Sequence, residues 1–189
     1  MRKVTKRIVN ICIIACLLAM VSTTTVFATM VAYGSERAGY MVATTQLRKK
    51  TNTFDDSALN KKYKSYMTYG AKVWKESGVV TLKRDNTSIN TIKMCTSKDT
   101  SAVATTTRYG DKRTGRVVMF EIYLNKDIMN GRAISRNRAT AAHEIGHTLG
   151  LLDLYEKRNK GKLMYGITDR ETTKPTTADI KGGKYATRK

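Results

Sequence analysis

A chain of 189 residues, 41% hydrophobic and with a single Pro, has the composition of one folded domain and excludes a disordered or collagen-like polymer. Its 35 Lys and Arg against 15 Asp and Glu give a formal charge of +20, which favours anionic surroundings. The basic residues are scattered without interleaved aromatics, so no specific nucleic-acid partner is expected.

Residues 1–28 read as a secretory signal peptide. MRKVTKR is the basic region, IVNICIIACLLAMV the apolar region, and STTTVFA ends with Val26 and Ala28 at the small-residue cleavage positions. The apolar run is shorter than the about 20 residues that span a bilayer. A lipoprotein anchor at Cys16 ranks lower, because the apolar run continues through Leu17, Leu18 and Met20. A short uncleaved anchor also ranks lower. Cleavage after Ala28 removes four of the 35 basic residues (Arg2, Lys3, Lys6, Arg7) and none of the 15 acids, leaving +16. The expected address is outside the cell, in contact with an anionic cell wall or membrane surface. Cys12 and Cys16 leave with the signal, and Cys95 alone cannot form an intramolecular disulfide. A secreted chain without disulfides points to a bacterial exporter of Gram-positive type. Cys95 reads as a small buried apolar residue.

Residues 29–39 read as a loose lead-in and 40–189 as the folded domain. YMVATTQL (40–47) alternates and is β-branched, so a strand is predicted. A helix is predicted over 57–77, capped by Asp56 or Ser57, with Leu59, Tyr63, Tyr66, Met67, Gly70 and Trp74 as a core-facing stripe and Gly78 at its end. Four β-rich runs follow: 79–84, 87–94, 101–109 and 115–124, parted by turn residues. A second helix is predicted from about Ser135 to Leu149, then a loop over 150–175. A last short helix starts near Thr176 or Thr177, weakened by Gly182 and Gly183. This order predicts an α+β fold, a mostly continuous mixed sheet on one side of two main helices. A monomer is expected.

The chain has only two histidines, and both lie in AAHEIGHTLGLLD (141–153). On a helix, His143 and His147 are i, i+4 neighbours with Cβ atoms about 5–6 Å apart. Two imidazoles so placed converge on one ion, and Glu144 projects beside it as a proton acceptor. A catalytic zinc site needs a third protein ligand. On an unbroken helix Asp153 would lie roughly 240° round the axis and about 9 Å further along. The helix must stop and turn back for it to reach the ion, and Gly150 is suited to the positive φ of such a stop. A rival third ligand is Glu171 on a later helix, but TDRETTKP has poor helical character.

HEIGHTLGLLD resembles the metzincin H-E-x-x-H-x-x-G-x-x-H/D pattern. LMYG (163–166) resembles the Met-turn beneath the metal in that family, with Met164 as its methionine. GRVVMFEIYLN and TTADIKGGKY (176–185) resemble matrixin-like proteases. Aspartate in place of a third histidine resembles the snapalysins, and no cysteine-switch sequence precedes the domain. The resemblance implies a metzincin-like zincin domain, a zinc cofactor held by His143, His147 and Asp153, and hydrolysis of peptide or protein substrates. A zinc-bound water attacks the scissile carbonyl in that family, with Glu144 as general base. The family analogy also lays substrate along SAVATTTRY as an edge strand and makes residues 165–173 a pocket wall. Tyr165 is read first as packing, with oxyanion assistance as its alternative. Calcium sites belong to the analogy, yet no acid-rich loop supports one. The alternative function is a weak or inactive protein on the same scaffold that binds the anionic cell envelope.

Overall fold

The computed structural model describes residues 30–188. The signal-peptide reading of residues 1–28, including Cys12 and Cys16, lies outside them. The described chain is α+β. It has seven strands, β1 (Val31–Ser35), β2 (Tyr40–Ala43), β3 (Thr51–Phe54), β4 (Thr81–Arg84), β5 (Thr91–Cys95), β6 (Ala104–Gly110) and β7 (Val117–Asn125). Its helices are α1 (Lys61–Glu76), α2 (Lys126–Asn130), α3 (Ile134–Leu149) and α4 (Thr177–Ala186), with a single 3-10 turn at Lys157–Asn159. None of these helices is long and apolar enough to cross a membrane.

Helix α1 starts later than its pattern suggests. Asn60 is the N-cap and accepts the Tyr63 N–H at 3.2 Å. Asp56 is buried for another reason: it takes the Arg84 Nε at 2.9 Å. The stripe from Tyr63 to Trp74 packs on α3, and Trp74 Nε1 donates to the Ala142 carbonyl at 2.7 Å. Trp74 and Met67 are fully buried there with Ile145 and Leu149. Such burial contributes about 1.5–3 kcal/mol per large apolar side chain.

The sheet is not continuous, contrary to expectation. It divides into a β1-β2 hairpin, a parallel β3-β4 pair and a mixed sheet ordered β5-β7-β6. The last two touch through one bridge, Asp55 to Thr91. The buried Asn90 accounts for the break. Its amide donates to Asn52 Oδ1 and the Thr53 carbonyl, and its Oδ1 accepts the Phe120 N–H at 2.9 Å. A side chain there supplies bonds that a ladder would otherwise make. Within the mixed sheet β6 pairs only with β7, so it is the edge.

The lead-in also departs from expectation, since Val31–Ser35 is a strand antiparallel to β2. The predicted strand over 40–47 covers only Tyr40–Ala43, because the following backbone bonds elsewhere. Gln46 N–H donates to Gly115 O, and Leu47 N–H to Leu149 O, both at 2.9 Å. Helix α4 forms across Gly182 and Gly183, both of which are buried in its packed face. Cys95 is a free, buried thiol, pushed up by burial and by the charges of Asp99 and Asp127.

Candidate metal centre

Helix α3 carries the two histidines one turn apart, and the backbone beyond it fixes their rings. His143 Nδ1 lies 2.9 Å from the Leu163 carbonyl, and His147 Nδ1 lies 2.8 Å from the Leu151 carbonyl. A carbonyl oxygen only accepts, so each Nδ1 carries the proton. In its neutral form each ring then presents Nε2 as a lone pair. The two Nε2 atoms face each other at 3.0 Å.

Gly150 ends the helix in the left-handed region, at φ 113° and ψ 5°. A Cβ at this position would come within 2.8 Å of the Thr45 carbonyl, so both the turn and the close approach require glycine. The chain then reverses: Leu151 bridges Val42, and Leu152 N–H donates to Met41 O at 2.9 Å. The reversal delivers Asp153. Its Oδ1 lies 3.1 Å from His143 Nε2 and 3.5 Å from His147 Nε2. That oxygen is buried and has no hydrogen-bond partner.

Glu144, His143 and His147 offer ligand atoms within 4.8 Å of one another, a group that could hold a metal ion. The tighter set is the two Nε2 atoms and Asp153 Oδ1. Glu144 is held to one side: Thr106 on β6 donates to its Oε2 at 2.6 Å. No second group of this kind occurs among the described residues. Glu171 points elsewhere, with its carboxylate 3.6 Å from Lys160 Nζ.

Charge distribution in the site follows from this packing. Burial and the charge of His147 hold His143 below its ordinary pKa. Burial acts on His147 too, but the Asp153 carboxylate beside it outweighs that and holds the ring above its ordinary value. Burial would raise Asp153; the two imidazoles beside it outweigh that and hold the carboxyl far below the usual range.

The turn after Asp153 is tied to the segment bearing Met164. Leu154 N–H donates to Met164 O at 2.9 Å, and Gly166 N–H to Leu154 O at 2.8 Å. Met164 is buried against helix α3 at Gly146. A Cβ at Gly146 would collide with its Sδ. Tyr165 is buried and absent from the cleft wall, which leaves it a packing role. Tyr155 stands at the cleft instead, its hydroxyl 3.3 Å from Asp153 Oδ2.

The histidines and both acids open into a cleft of about 690 Å³. One wall is residues 101–106 with Arg108, from the segment leading into and along edge strand β6. Gly166, Thr168 and Arg170 also line the cleft.

Several residues in this frame carry no motif signal. Asp179 on α4 accepts the N–H groups of Leu163 and Met164. Arg108 donates to the carbonyls of His147 and Leu151, clamping the helix end to β6. Burial pushes its guanidinium down to about 10 against the pull of Asp153. Glu36 in the β1-β2 turn accepts the Tyr155 N–H at 2.6 Å. The buried state of all but Glu36 was beyond sequence, since each sits far along the chain from its partner.

No protein-family model matches this chain, and no curated protein matches it in sequence.

Proposed function

We propose that the chain is a secreted zinc-dependent metalloendopeptidase of metzincin type. The observation that carries the reading is the buried, unpartnered Asp153 Oδ1 facing two imidazole lone pairs. A buried carboxylate oxygen without a hydrogen bond costs free energy unless a cation meets it. The size of that cation is suggested by the spacing. Ligands at about 2.0–2.1 Å in a tetrahedron stand roughly 3.3 Å apart. The three atoms here stand 3.0, 3.1 and 3.5 Å apart. Two nitrogens and one oxygen suit zinc, and the open side toward the cleft leaves a fourth position.

Zinc held by His143, His147 and Asp153 supplies Lewis acidity toward a carbonyl and toward water. The protein's own residues do the rest. The carbonyls of Leu163 and Leu151 hold the ring tautomers that keep both Nε2 atoms free. Glu144, oriented by Thr106, takes a proton from the attacking water and passes it to the leaving amine. Strand β6 offers unpaired edge groups along the cleft, suited to an extended peptide added as a further strand.

The test is cleavage of casein by purified mature chain. Activity should vanish with a chelator and return with zinc. Glu144→Gln should lose roughly 10²–10⁴-fold while still binding zinc. Cleavage indifferent to both manipulations would remove the zinc mechanism. A zinc-loaded chain that cleaves nothing would favour the envelope-binding alternative.

A further inference from the structure

The cleft is lined by an unsatisfied cation. This is Arg170, and among the described residues its one hydrogen bond runs from Nε to the Tyr165 carbonyl at 3.1 Å. Its Nη1 is buried without a partner. Guanidinium has five donors, and most of these are left unused. Glu144, Asp153 and Arg170 line the same cleft, and the charges of the two acids act on the guanidinium. Neither acid forms an ion pair with it, and Glu144 is already taken by Thr106.

Two further cations back it. Arg132 is near enough for its charge to act on Arg170, and Arg136 acts in turn on Arg132. Arg132 donates to Thr140 Oγ1 at 3.1 Å, and Arg136 to the Thr168 carbonyl at 3.1 Å, so both are spent on neutral groups. Among the described residues none of the three has a carboxylate at ion-pairing distance. The nearest acid of the loop, Asp169, pairs with Lys160 instead. Burial lowers the pKa of Arg170, as expected of a guanidinium stripped of water without a full counter-ion.

We infer that Arg170, backed by Arg132 and Arg136, is a subsite for a substrate carboxylate, so that the preferred peptides carry an acidic group next to the bond that is cut. The inference rests on the hydrolase reading and names its substrate class. Guanidinium is the side chain whose planar fork matches a carboxylate with two parallel bonds. A desolvated, half-satisfied arginine binds such a group far better than the isosteric amide, because the amide leaves its charge unmatched. The strong positive charge of the chain steers acidic peptides in the same direction. The carboxylate can come from an Asp or Glu side chain or from a chain terminus.

The experiment uses the zinc-loaded chain and quenched peptides identical except for Asp, Asn, Leu or Lys at positions flanking the cut. Each is made with a free and an amidated C-terminus. The expected result is a kcat/KM for Asp at least about tenfold above Asn, in keeping with a charge-assisted pair. A preference confined to free C-termini would assign the group to a chain terminus. Arg170→Gln should erase the preference while the Leu peptide is still cut within about threefold. Arg170→Glu should reverse it in favour of Lys, an inversion that a merely structural arginine would not show. Equal rates for Asp and Asn in the unaltered chain, or an equal loss on every peptide in Arg170→Gln, would overturn the subsite. Binding of fluorescein-labelled Asp and Asn peptides, read by anisotropy, separates the two readings. If nothing is cut yet Asp binds tenfold tighter and Arg170→Gln abolishes the difference, the hydrolase reading fails and the subsite stands. Equal binding with no cutting ends both.

Discussion

Asp179 holds up Leu163, and Leu163 holds up His143. The Asp179 oxygens accept the Leu163 and Met164 N–H groups at 3.0 and 3.1 Å, and the Leu163 carbonyl then fixes His143 Nδ1 at 2.9 Å. The same carboxylate takes Thr176 N–H and Oγ1, so it also caps α4. A group 36 residues from His143 in sequence thus sets the direction of its lone pair.

Asp179→Ala should therefore cost both stability and metal affinity. Four bonds to a fully buried carboxylate are lost, and hydrogen bonds to charged groups contribute about 1.5–3 kcal/mol each before relaxation. A loss of roughly 3 kcal/mol or more is expected in urea unfolding. Zinc affinity should fall about 10–100-fold, the usual effect of removing a partner behind a ligand. A variant that unfolds more easily yet binds zinc as before would break the link to His143.

Gly146 and Met164 set a second constraint. A Cβ at 146 would collide with Met164 Sδ and come within 3.2 Å of Met164 Cε and Trp74 Cζ2. Two effects oppose each other in Gly146→Ala. Helix propensity favours alanine by about 1 kcal/mol. Overpacking opposes it by about 1–3 kcal/mol, and Met164, 1% exposed, has nowhere to go. A net loss of roughly 1–2 kcal/mol is expected. Met164→Ala alone should cost about 2–5 kcal/mol through its cavity. The double variant should lose less than the sum, because each change makes room for the other. Strict additivity in chemical denaturation would show that the two do not meet.

The third ligand is decided by metal content. Asp153→Ala removes the oxygen nearest both Nε2 atoms, and its zinc affinity should drop by more than the 10–100-fold seen for outer partners. Glu171→Ala removes a carboxylate that is 64% exposed and paired with Lys160, and should bind zinc normally. Full zinc in the first variant and loss in the second would reverse the assignment.

The reach of the sequence can be seen in which interactions are local. The helix with both histidines, and the glycine that ends it, are readable because each acts within a few residues. The α+β order is readable for the same reason. Strand β3 is hidden because its inward positions, Asn52 and Phe54, mix polar with apolar and blur the alternation. The break in the sheet depends on the Asn90 side chain bonding to residues about 30 and 37 positions away. Arg170 and Arg132 read as ordinary surface cations among 35, and only folding removes their counter-ions. Tyr165 is singled out by its place beside Met164, yet it is Tyr155 that lines the cleft while Tyr165 is buried.

Proton linkage supplies the last prediction, for chelated protein. His147 is held above its ordinary value by Asp153, so its contribution to stability is full below the unfolded pKa of about 6.5 and is lost as pH rises through the folded value. His143 is held below its ordinary value, chiefly by burial, so its penalty appears as pH falls below about 6.5. Asp153 adds stability above about 3.8 that is lost only in acid. Together the three place the stability maximum of the metal-free chain at about 6.5, and stability falls from there across the window that ends at the raised pKa of His147. In that window one proton bridges the site on His147, and zinc must displace it. Calorimetric titration with zinc in two buffers of different ionisation enthalpy should report close to one proton released, falling toward zero at higher pH. Release of no proton anywhere in that window would mean that the two rings are already neutral, and the Asp153–His147 pair would then not hold the charge assigned to it.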